Sequence, residues 1–114
     1  MIKCIHTIGN ISLDLSDSTQ TIIRAIDITY RGDMHAISLL PEGWELVARN
    51  NRIICFNLGN LNPYNIFDYT GNIQIRNLTL YDENSISYKA KIIIEENDYW
   101  EKVNAIFDSS GEYY

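Results

Sequence analysis

A chain of 114 residues with 46% hydrophobic and 21% charged residues has the length of one domain and the composition of a globular one, which excludes a disordered or fibrous chain. The formal net charge is −6, and nearly all of it is local: Glu95, Glu96, Asp98, Glu101, Asp108 and Glu112 against Lys102 give residues 95–114 a net −5. Nucleic acid is not an expected partner, because phosphate contacts require a basic surface.

The apolar content points to strands. Nineteen Ile stand against two Val, with eight Tyr and twelve Asn; Ile and Tyr favour a pleated, half-buried surface, and Asn favours turns. Met1 to Leu15 carries Lys3, His6 and Asp14 in alternation instead of an uninterrupted apolar core, and no apolar run is long enough to span a bilayer. The expectation is a single β-rich domain over residues 1–114, cytoplasmic, with no membrane association.

In chain order, Ile11-Ser12-Leu13-Asp14-Leu15 alternates as a strand, and Ser16 to Gln20 reads as a turn. A second strand is expected near Thr21 to Tyr30, where β-branched density outweighs a competing helical spacing. Arg31-Gly32-Asp33 then reads as a link. Pro41-Glu42-Gly43 is a turn ahead of the clearest hairpin, Trp44 to Arg49, then Asn50-Asn51, then Arg52 to Leu58. Two Asn in succession tolerate the positive φ angles that a two-residue turn demands.

Leu61 to Tyr69 reads as an irregular crossing between sheets, since Pro63 cannot donate to a central ladder. Thr70-Gly71-Asn72 is expected to turn into a strand from Ile73 to Tyr81. There the apolar phase slips, from Ile73 and Ile75 to Leu78 and Leu80, and a β-bulge at Arg76-Asn77 keeps both pairs facing the core. The following strand places Ile86, Tyr88, Ala90, Ile92 and Ile94 on one face. Beyond it, Asn97 or Asp98 caps a short helix, with Tyr99, Trp100, Val103, Ile106 and Phe107 on one side and carboxylates at its amino end.

Chemistry-bearing residues are sparse. Cys4, His6, His35 and Cys55 are zinc-type atoms without zinc-type spacing, and the two Cys are expected to be reduced and buried. Neither His stands in a nucleophile or general-base signature, and no glycine-rich phosphate loop is present. No enzyme, no metal and no cofactor are expected. The candidate binding residues are the aromatic cluster Tyr64, Phe67 and Tyr69, the chain-end Tyr113 and Tyr114, and the pair Arg49 and Arg52. The aromatics are of the kind that anchors interfaces. The two Arg would sit side by side across the hairpin, which is mildly unfavourable unless an anion or a carboxylate joins them.

The run Phe67-Asp68-Tyr69-Thr70-Gly71-Asn72-Ile73-Gln74-Ile75, a following hairpin, and Asp98-Tyr99-Trp100-Glu101 in a terminal helix resemble small structural and accessory proteins encoded in the head and tail gene clusters of tailed bacteriophages. The resemblance covers the last fifty residues. It implies a virion structural or assembly component that works by binding protein partners, as a homo-oligomer or in a larger assembly, located in the cytoplasm of a host cell or incorporated in a virion. The fold expected is mainly β, a small β-sandwich or partly closed barrel of 7–8 strands with one short C-terminal helix. The alternative role is a small acidic inhibitor or regulator of a basic host protein, and a hydrolytic or ligand-binding β-barrel, whose pocket residues the sequence does not reveal, is the remaining rival.

Overall fold

Strand-period alternation drives the architecture, because successive side chains of a strand leave on opposite faces and only one face can be buried. The computed structural model describes residues 2–15 and 21–95. These form eight strands: β1 (Lys3–Thr7), β2 (Asn10–Asp14), β3 (Ile23–Ser38), β4 (Trp44–Arg49), β5 (Arg52–Asn57), β6 (Asn65–Asp82), β7 (Ser87–Lys89) and β8 (Lys91–Ile94). All eight belong to one hydrogen-bonded sheet in the order β4-β5-β3-β6-β2-β1-β8, with β7 paired to β6 beside that path. The sheet is mainly antiparallel; β8 runs parallel to β1. It does not close into a barrel. The helix expected near the carboxyl end lies outside the described residues.

Two strands carry the design. β3 has 16 residues and β6 has 18, and they pair along nearly their whole length, from Ile23↔Asp82 to Ser38↔Phe67. At one end β3 takes β5 on its far side and β6 takes β7; at the other end β6 takes β2, which leads to β1 and β8. The two halves of the sheet therefore share β3 and β6 and are joined by a two-stranded ribbon. Their inward faces meet in one core cluster that includes Ile26, Ile28, Ile53 and Leu78 from the first half and Cys4, Ile11, Ile66 and Phe67 from the second, all 0% exposed. That shared core gives the sheet the layered character of a sandwich. Each fully buried large side chain stabilises by about 1.5–3 kcal/mol relative to an exposed one.

Local chemistry fixes the details. The Asn50-Asn51 turn has φ of 53° and 63°, as the two-residue hairpin requires. The phase slip in β6 is resolved by register: Thr29 pairs with Asn77 and Tyr30 with Ile75, leaving Arg76 as the extra residue of a bulge. Another shift, between Ile11↔Phe67 and Ser12↔Asn65, lets Ile66 and Phe67 both be buried.

Four segments differ from the expectation. Arg31-Gly32-Asp33 does not link elements but continues β3, and Thr70-Gly71-Asn72 is not a turn but the interior of β6. Both contain a glycine at φ 110°. A Cβ on Gly32 would collide with the Asn72 carbonyl, and one on Gly71 with the Asp33 carbonyl, so these glycines allow close backbone approach within the ribbon instead of reversing the chain. Likewise Asn65 to Tyr69 is strand and not irregular crossing. The last long strand divides at the buried Ala90, whose N–H donates to the Leu78 carbonyl, so that Ser87–Lys89 pairs with β6 and Lys91–Ile94 with β1.

Candidate interaction surface

The hairpin of β4 and β5 and the adjoining parts of β3 and β6 present a solvent-facing sheet surface whose rows follow from register. Glu45, Phe56, Ala25 and Tyr81 form one row, Val47, Ile54, Asp27 and Thr79 the next, and Arg49, Arg52, Thr29 and Asn77 the third. The opposite side chains of the same strands, Trp44, Ile53, Cys55, Ile26 and Ile28, fill the core. On the outer side, Val47 is 53% exposed, Tyr81 39% and Phe56 37%. A soluble sheet ordinarily covers its solvent face with polar residues, so adjoining apolar residues on two rows need a partner or a reason.

An open depression of about 470 Å³ lies at the hairpin end of this face, lined by Val47, Arg49, Asn50, Arg52 and Ile54. The two Arg pair directly across the hairpin. Their like charges are relieved from within the chain: Arg52 donates from Nε and Nη2 to the two carboxylate oxygens of Asp27 at 3.0 and 2.6 Å. This bidentate geometry holds Arg52 firmly charged, its hydrogen bonds and the nearby carboxylate raising an already high value. Arg49 is exposed and has no ion-pair partner among the described residues.

Beside this face the connection from β5 to β6 is held by a dense polar network. Buried Asn57 donates to the carbonyls of Ile23 and Leu61 at 2.9 and 3.2 Å and accepts from Gly59 N–H at 2.8 Å. Trp44 Nε1 donates to the Leu61 carbonyl at 2.7 Å, and Asn62 accepts from Ile23 N–H at 2.7 Å. The connection is thereby fixed while Leu58 and Leu61, 76% and 56% exposed, point to solvent.

The expected site residues fall in separate environments. Arg49 and Arg52 come together on the hairpin as the sequence indicated. Tyr64 is 71% exposed and available to a partner. Phe67 is not: it is 0% exposed and packs in the core, because the bulge opposite Ile11 turns it inward with Ile66. Tyr69 is half-buried, its hydroxyl 2.7 Å from His6 Nε2 and its ring edge-on to Phe67 at 6.1 Å. The three aromatics thus make no single exposed cluster. Tyr113 and Tyr114 lie outside the described residues. Val47, Ile54 and Phe56 were not singled out from sequence, although the alternation of Ile54 and Phe56 with Ile53 and Cys55 marks β5 as a strand apolar on both faces.

Titratable groups elsewhere are structural. Cys4 and Cys55 are free and buried, and burial pushes both thiols up to about 12, far from the reactive thiolate range. Burial lowers His6, whose Nδ1 has no hydrogen-bond partner. Burial also acts to raise Asp82, but hydrogen bonds from Ile86 N–H, the Tyr88 hydroxyl and Asn84 N–H outweigh it and hold the carboxyl below its ordinary value. Asp82 closes the turn between β6 and β7. Among the described residues no three His, Cys, Asp or Glu side chains converge as metal ligands, and no helix is long and apolar enough to cross a membrane.

No protein-family model matches the chain, and no curated protein does. Among solved structures it is similar to the cohesin module from the family 33 glycoside hydrolase of Clostridium perfringens ATCC13124, with a TM-score of 0.53 and 11% identity over 85% of this chain and 96% of that one. At that identity the likeness is one of fold.

Proposed function

We propose that this domain is a non-enzymatic protein–protein interaction module whose contact surface is the outer face of β4, β5, β3 and β6. The observation that carries the reading is a group of apolar side chains on two adjoining rows of that face, where Val47, Phe56 and Tyr81 are exposed and half-buried Ile54 lies among them at positions where polar side chains are the norm. Core apolar residues edged by Arg and Tyr match the composition of interface centres, in which aromatic residues and Arg are enriched. The fold likeness supports the reading, since a cohesin module is a protein–protein interaction domain. The finer assignment, a virion structural or assembly component of a tailed phage, rests on the sequence resemblance of the last fifty residues.

The test is site-resolved crosslinking. A photoreactive amino acid placed at position 47 or 56 of the full chain is expected to capture one defined protein during phage assembly, a head or tail component if the finer assignment holds. The same probe at Asn72, on the ribbon, is expected to capture nothing. The double substitution Val47→Thr and Phe56→Thr, which keeps strand-favouring or small side chains on an exposed face, is expected to weaken capture at least tenfold without lowering the thermal midpoint. Equal capture from all three positions, or none, would refute the assigned face.

A further inference from the structure

β4 ends the sheet order, and among the described residues β5 is its one ladder neighbour. An open edge is a template for another strand, and proteins ordinarily blunt it with Pro, Lys, a bulge or an inward charge. β4 holds no Pro, no Lys and no register shift. Its charges are Glu45 and Arg49, both exposed on the outer side, with Val47 midway between them and 53% exposed. Opposite charges set symmetrically about one residue repel a parallel in-register copy of the strand and attract an antiparallel one. The hairpin turn also fixes which backbone groups face the edge. A two-residue turn is closed by a hydrogen-bonded pair, here Arg49 and Arg52, and such pairs alternate along an antiparallel ladder. Glu45, Val47 and Arg49 therefore turn N–H and C=O toward β5, while Leu46 and Ala48 turn theirs to the edge. Two bonds just before β4 keep the same phase: Leu58 N–H donates to the Gly43 carbonyl, and Trp44 N–H turns away from β5 to the Pro41 carbonyl.

We propose that β4 pairs antiparallel with β4 of a second copy of this chain about a two-fold axis at Val47, joining the two sheets into one. In that register Glu45 stands opposite Arg49 of the second copy, Arg49 opposite its Glu45, and Val47 opposite its Val47. Leu46 and Ala48 then exchange backbone hydrogen bonds with Ala48 and Leu46 of the second copy on both sides of the axis. Hydrogen-bond phase, side-chain face and charge are satisfied together. A slip of one residue sets the outer side chains of one copy against inner positions of the other and breaks the hydrogen-bond phase. A slip of two sets Glu45 or Arg49 opposite Val47 and loses both ion pairs. The contact is isologous, so it closes as a dimer and does not propagate into a filament. Exposed ion pairs contribute little by themselves; the main-chain ladder supplies the affinity, as in strand addition generally, and the charges set the register. Both outer faces come to lie on the same side of the joined sheet, with Val47 still projecting from it. The pairing therefore leaves the proposed contact face open and does not depend on an external partner.

Val47→Cys in the purified full chain tests the axis. Opposed residues that share no ladder hydrogen bonds have Cα atoms about 4.5 Å apart, within the span of a disulfide. Under mild oxidation this variant is expected to form disulfide dimers about tenfold or more faster than Phe56→Cys, whose counterpart would lie three strand spacings away, because the pairing raises the local thiol concentration only at the axis. Cys4 and Cys55 do not compete, being buried with thiols pushed up to about 12. Sedimentation of the chain without added cysteine, across a concentration series, tests the charges. The native chain is expected to dimerise as its concentration rises. Glu45→Arg and Arg49→Glu are each expected to weaken the dimer about tenfold, since either one turns both ion pairs into like-charge pairs. The two substitutions together are expected to restore it. A native chain that stays monomeric at every concentration would overturn the pairing. So would a combined variant as weak as the single ones, or Phe56→Cys crosslinking as fast as Val47→Cys.

Discussion

His6 sits in β1 two residues after Cys4, and both point into the core, where the imidazole is 8% exposed. One nitrogen meets the Tyr69 hydroxyl at 2.7 Å; the other, Nδ1, is without a partner. Charging this ring would strand a cation in an apolar layer, which is why burial lowers its value from 6.5. The consequence for stability has a definite sign. The folded value lies below the unfolded one, so above 6.5 both states are neutral and the fold is unpenalised, and as pH falls below 6.5 the unfolded chain takes up a proton that the folded chain refuses. Stability therefore drops progressively from about pH 6.5 down to the lowered value in the folded state. His6→Gln keeps a hydrogen bond to Tyr69 without a titrating group, and its thermal midpoint between about pH 7.5 and about pH 5 is expected to stay flat where the native chain's declines. A parallel decline in both would place the titration elsewhere. The two-residue step from Cys4 to His6 puts both on one face of a strand, but the long-range pairing of His6 with Tyr69, 63 residues away, leaves no local trace in the sequence.

Glycine acts differently in this chain depending on what lies across from it, and that decided which elements could be read in advance. The β4–β5 hairpin was legible in full because its turn chemistry is local: Asn50 and Asn51 alone supply both positive φ angles. The bulge at Arg76 was legible for the same reason, since a slip of apolar phase within one strand admits few other readings. Gly32 reads as part of a link and Gly71 as a turn residue in sequence, because each answers to a backbone on a strand some forty residues distant. Their role yields a sharp expectation. Gly71→Ala would put a Cβ against the Asp33 carbonyl at a φ of 110°, which alanine rarely adopts, and the cost is expected to be about 1–3 kcal/mol or more. Gly32→Ala should cost a similar amount by urea denaturation. The double substitution should cost less than the two combined, because neighbouring sites that share one distortion are not additive. Strict additivity would mean that the two glycines relieve separate strains.

At the scale of the molecule, the binding face and the core are opposite sides of the same strands. Val47 and Ile54 face solvent because Trp44, Leu46, Ile53 and Cys55 must face inward, so the face is as rigid as the core beneath it. Composition could indicate a β-rich layered fold, but not that one sheet would supply both layers, because that depends on β3 and β6 being long enough to serve each half. This topology has a thermodynamic signature. Phe67 lies in the half built on β2, β1 and β8, and Leu78 in the half built on β4, β5 and β7, yet both belong to β6 and to one buried cluster. If the halves were separable, Phe67→Ala would loosen one and leave the other, and unfolding would split into two steps. Since β3 and β6 run through both, loss of either half's packing removes the ladder and core of the other. Each of Phe67→Ala and Leu78→Ala is therefore expected to cost about 2–5 kcal/mol, in a single transition. Its midpoint should be the same whether followed by far-ultraviolet dichroism or by the fluorescence of Trp44, read in a Trp100→Phe background. A Trp44 signal that persists after the dichroism transition in Phe67→Ala would show that the first half stands alone, and the shared-strand account of the fold's cooperativity would fail.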